Sequence, residues 1–111
     1  MDHNPTENFN PDVVLTGIED ILAANLGEIY AQLSTDQRQP FKLKGEQVAR
    51  AIHTMMVNSK VKSHQILKLI EAWLRMIPGV NVYFLQQEAK IKLDKIMRYL
   101  EEQAQSSTTI V

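Results

Sequence analysis

The chain has 111 residues, 44% of them hydrophobic, and no cysteine. That length suits one domain with a core of its own. The absence of cysteine excludes a disulfide framework, a thiolate nucleophile and any cysteine-ligated zinc or iron–sulfur site. The formal net charge of -1 conceals an uneven distribution. Residues 1–37 hold seven acidic groups and no Lys or Arg, a sum of -7. Residues 38–98 hold all 12 basic residues and four acidic ones, a sum of +8, and residues 99–111 add Glu101 and Glu102. Such asymmetry predicts a docking relation, within the chain or with a partner.

The first ten residues, Met-Asp-His-Asn-Pro-Thr-Glu-Asn-Phe-Asn, lack the basic start and apolar run of a signal peptide. The longest uncharged, mostly apolar stretch is 76–87, and Pro78-Gly79 interrupts it. A spanning helix needs about 20 apolar residues. These features predict a soluble, cytoplasmic protein without a transmembrane segment.

A polar tail over 1–10 leads into the first predicted helix. Asn10 is a candidate cap, Pro11 suits the first helical position, and Asp12 suits the positive end of the helix dipole. Val14, Leu15, Ile18, Ile21, Leu22, Leu26, Ile29 and Leu33 recur at three- and four-residue steps, giving one continuous apolar face. Gly17 and Gly27 weaken such a helix by about 1 kcal/mol each and predict close approach of another helix. Ser34-Thr35-Asp36 ends this element and is a candidate cap for the next. A second helix is predicted from near Pro40 to Val57, with Phe41, Val48, Ala49, Ile52, Met55 and Met56 facing inward.

The third predicted helix, 60–77, follows the Asn58-Ser59 break. Its apolar arc approaches half the circumference and includes Ile66, Ile70, Trp73, Leu74 and Ile77. A helix with so wide an arc touches two neighbours, in the fold or across an interface. Glu71 is spaced to pair with Lys68 and Arg75. Pro78-Gly79 stops the helix. Asn81 is a candidate cap for the last helix, 82–102, whose main face is Val82, Leu85, Ala89, Leu93, Ile96, Met97 and Leu100.

The expected architecture is all-α, a four-helix bundle-like and mostly antiparallel domain over 11–103. Tails are expected over 1–10 and 104–111. The Thr109-Ile110-Val111 terminus has the form of a PDZ-type ligand, although a mobile end is the expected state.

Catalytic patterns are missing. The sequence contains no phosphate loop, no dinucleotide fingerprint, no nucleophile elbow and no helix-borne pair of metal-binding histidines. His53 and His64 flank the Asn58-Ser59 break, which gives only a weak metal or pH-switch idea. Glu19-Asp20 and Glu101-Glu102 are sequence neighbours whose side chains diverge by about 100° on a helix. No cofactor is expected. The leading expectation is a non-enzymatic interaction, scaffold or adaptor protein, binding itself or another protein. Its candidate interface is Ile70, Trp73, Leu74, Ile77, Phe84 and Ile91. The alternative is a nucleic-acid or anionic-surface module using Lys60, Lys62, Lys90, Lys92, Lys95 and Arg98. A sequence pI of about 6.3 and scattered lysines favour the first. Trp73 with Met55, Met56, Met76 and Met97 fits core packing better than an adaptable peptide groove.

Overall fold

The computed structural model of the chain describes residues 11–108. The expected all-helical class holds. Five helices are described: α1 (Pro11–Ala23), α2 (Gly27–Gln32), α3 (Thr35–Val57), α4 (Ser63–Leu74) and α5 (Val82–Thr108). The four longer ones form a closed ring of neighbours. α1 packs on α3 and α5, and α4 packs on the same two helices. Ile18, Ile52, Ile66, Ile70, Leu74 and Ile96 are fully buried at the centre of this ring.

The helix expected over 11–33 is broken in two. Asn25 adopts a φ of 66°, a left-handed conformation that Asn tolerates better than most residues. Leu26 N–H donates to the Ala23 carbonyl at 3.1 Å, tightening the turn after α1. The apolar spacing runs on regardless, because Leu26 and Leu33, which bracket α2, are both buried. Gly17 does mark close approach: a Cβ there would strike the Tyr99 ring of α5. Gly27 does not, since open space lies beside it.

α3 starts five residues before the expected Pro40. Ser34 and Gln37 form a reciprocal capping box, with Gln37 N–H donating to Ser34 Oγ and Ser34 N–H to Gln37 Oε1. That cap holds the first turn although Pro40 removes a backbone donor. At the other end, Lys60 N–H donates to the Met55 carbonyl at 2.8 Å and Ser59 N–H to that of Met56 at 3.0 Å. Ser59, at φ 56°, is thus the left-handed residue of a Schellman stop.

α4 is shorter than expected, because Pro78 disfavours helical geometry at Ile77. Met76 and Ile77 instead donate to carbonyls three residues back, Trp73 and Leu74. Asn81 caps α5 as expected, accepting from Phe84 N–H at 3.0 Å. α5 continues to Thr108, past the boundary expected at 103. The expected first tail, Asn10 and the Thr109-Ile110-Val111 terminus lie outside the described residues. No described helix is long and apolar enough to cross a membrane.

Candidate interaction surfaces

The candidate interface residues of α4 and of the turn that follows it face inward. Ile70 and Leu74 are 0% exposed, Trp73 4% and Ile77 8%, so their apolar area is used inside the chain. Trp73 stacks on Phe41 of α3, with ring centroids 5.0 Å apart. Its indole N–H donates to the Phe41 carbonyl at 2.9 Å. The approach is close enough that a Cβ at Gly45 would press on the indole ring. Phe84 is half-buried, and Ile91 is exposed on the outer side of α5.

Of the six candidate anion-binding cations, Lys60, Lys62, Lys90, Lys95 and Arg98 are exposed. None of these five forms an ion pair with a described residue. Lys92 differs: it is 1% exposed and therefore closed to an external anion. Its ammonium donates to the Ala24 carbonyl at 2.6 Å, just past the carbonyl end of α1. It also stands 3.3 Å from Glu88 Oε1, one helical turn back. That contact is an ion pair, and Glu88 Oε1 has no hydrogen-bond partner beyond it. Burial pulls the Lys92 ammonium below its usual range, and Glu88 opposes that pull. Lys92 lies three residues after Ala89 and four before Ile96. The helical projection alone therefore puts its stem on the apolar face.

This lysine gives the docking relation that the charge asymmetry predicts a form other than ion pairs between the acidic and basic segments. Among the described residues no ion pair joins α1 or α2 to a basic helix, and Glu71 pairs with neither Lys68 nor Arg75. Polar links between the acidic first helix and the basic last one are made by Lys92, a cation at a helix carbonyl terminus, and by the Tyr99 hydroxyl, which donates to the Val14 carbonyl at 3.5 Å. Most other charged side chains among the described residues are exposed, while Glu19, Arg38, Lys44, Glu46 and Glu71 are half-buried.

The carbonyl end of α2 is held similarly. Arg38 Nη2 donates to the Ala31 carbonyl at 2.8 Å and its Nε to that of Leu33 at 3.1 Å. The same guanidinium lies 5.9 Å from the centroid of the Tyr30 ring. α2 has no fully buried residue of its own, so Arg38, Leu26 and Leu33 keep it in place.

Between α1–α2 and the first half of α3 lies a cleft of about 460 Å³. Leu22, Leu26, Phe41 and Trp73 form its apolar floor, with Ala23, Gly27 and Tyr30 on one wall and Gly45 on the other. Glu19, Asp20, Glu46 and Lys42 stand at its rim. The sequence gives no direct signal of this cleft, because it exists through the break at Asn25. A second, wider concavity of about 690 Å³ lies between the end of α3 and the late turns of α5. It has no aromatic lining, and Asp94, Arg98 and Glu101 mix both charges around it.

His53 is half-buried and His64 exposed. No group of three or more His, Asp or Glu suited to a metal ion occurs among the described residues. Comparison with known protein families, curated proteins and solved structures finds no match.

Proposed function

We propose that this chain is a small non-enzymatic helical protein of the cytoplasm that works by contact with other proteins, as an adaptor or a homo-oligomer. The cleft between α1–α2 and α3 is its working surface. The observation that carries this reading is the cleft's construction: an apolar, partly aromatic floor with charge confined to the rim. Side-chain anchors at protein interfaces typically fill such desolvated pockets, while surrounding polar groups set orientation. A photo-crosslinking amino acid placed at Ala23, on the cleft wall, tests it in cells. The expected result is a discrete protein adduct from position 23 and none from Gln65, an exposed residue that does not line the cleft. Equal adducts from both positions, or none from position 23, would reject the reading.

The five exposed cations support a second reading, attachment to RNA or an anionic surface. Counterion release requires affinity that falls steeply with salt. Asp94 and Glu101 share the exposed side of α5 with Lys90 and Arg98, which dilutes the positive field. The cleft is therefore the stronger candidate.

A further inference from the structure

We propose that the occupant of the cleft is a cationic amphipathic segment of a different protein, with bulky apolar anchors flanked by Lys or Arg. This rests on the cleft being the working surface, and it adds the chemistry of what enters. Two independent features support it. Leu22, Leu26, Phe41 and Trp73, each buried, close the bottom of the cleft, and Ala23, Gly27 and Tyr30 supply its accessible, largely apolar wall. Its volume of about 460 Å³ falls within the range of pockets that enclose small ligands or anchoring side chains, about 300–1,000 Å³.

The rim supplies the charge argument. Glu19, Asp20 and Glu46 set three carboxylates against the single ammonium of Lys42. Glu19 and Glu46 are half-buried, and none of the three carboxylates forms an ion pair with a described residue. α1 and α2 contribute no Lys or Arg, and Arg38, whose guanidinium lies over Tyr30, donates to the Ala31 and Leu33 carbonyls rather than to a carboxylate. An uncharged occupant would strip water from these carboxylates without replacing it. An acidic one would add like-charge repulsion, whereas Lys or Arg beside the anchor compensates. The chain's own first ten residues carry Asp2 and Glu7 with no Lys or Arg, so their charge is wrong for the site.

The test is selection of random 16-residue peptides lacking Trp on the full chain, with counter-selection on two cleft-blocked variants. Ala23→Phe fills the site from an exposed wall position, and Gly27→Leu fills it from a position with open space beside it. Two separate blocks guard against misfolding of either, and thermal unfolding of each confirms a folded chain. The proposal expects Lys- or Arg-rich peptides with Leu, Ile or Phe anchors that bind the wild type and neither variant. Their binding should change the fluorescence of Trp73, the sole tryptophan. It should weaken about tenfold in Asp20→Lys/Glu46→Gln, a loss typical of removed charge complementarity. Cleft-dependent peptides that are neutral or acidic would overturn the proposed occupant while leaving the cleft as a binding surface. A wild-type dimer that both blocking variants abolish would assign the cleft to a second copy and overturn the proposal. Absence of any cleft-dependent peptide would overturn the occupant and the working surface together.

Discussion

Lys92 shows how one side chain can carry a relation that charge counts only suggest. Its stem lies among apolar neighbours of α5, and its ammonium closes the end of α1. Lys92→Met leaves Glu88, itself 8% exposed, without a partner, and we expect a loss of about 3 kcal/mol in chemical denaturation. Glu88→Leu/Lys92→Met should recover most of that loss, because no lone charge remains buried. The pH dependence follows from the lowered Lys92 value. Below its folded value the amine is charged in both states, and burying it has its full cost. Between that value and 10.5 the unfolded chain holds a proton that the folded chain has released. Wild-type stability relative to Lys92→Met should therefore rise with pH across this window. Tyr99, raised above 10.0 by burial and then by Asp20, acts in the opposite sense. The difference between the two proteins cancels it. Three glycines supply a second comparison. Ala favours a helix interior by about 1 kcal/mol over Gly. At Gly45 the new methyl meets an indole fixed by a hydrogen bond, and we expect a net loss of about 1–3 kcal/mol. Gly17→Ala should also lose stability, because Tyr99 must move, whereas Gly27→Ala should gain about 0.5 kcal/mol. Equal effects at all three would contradict the packing described.

The helices themselves were largely legible, and their ends less so. Three- and four-residue spacing located the apolar faces of α3, α4 and α5, and Asn81 was readable as a cap because its side chain needs only a local N–H. The break at Asn25 was not readable. Leu22, Leu26, Ile29 and Leu33 keep a helical spacing through it, since the turn returns both flanks to one core. Ser34 was readable as a cap for α3, but Pro40, which lies inside the helix, drew the expected start to itself. The left-handed positions now give a testable difference. Ser59→Gly removes a steric cost at the Schellman stop and should add about 1 kcal/mol to stability in thermal or urea unfolding. Loss of stability there would contradict the assigned geometry. Arg38 matters more locally. Arg38→Ala removes both donors to the end of α2, so hydrogen exchange should speed over Gly27–Gln32 while α4 keeps its protection. Uniform acceleration would show that α2 is no separate unit.

The whole molecule is a ring of four long helices with a short fifth hinged over one side, and that arrangement makes the cleft. Trp73 illustrates what could and could not be foreseen. Its apolar setting on α4 was evident, and it is buried. Only the tertiary contact with Phe41 and Gly45 turns its edge into the floor of an opening. Charge tells a similar story. Among the described residues the acidic and basic segments do not neutralise each other by ion pairs, so the acidic rim stays available while Lys60, Lys62, Lys90, Lys95 and Arg98 face outward elsewhere. The two surfaces make different claims, and amide chemical shifts separate them. The ¹⁵N-labelled chain would be titrated with the partner captured through position 23. The expected footprint is Leu22, Ala23, Leu26, Tyr30, Lys42, Gly45 and Glu46, with little change around Lys60, Lys62, Lys90, Lys95 and Arg98. A footprint centred on those five cations, leaving the cleft unshifted, would contradict the account.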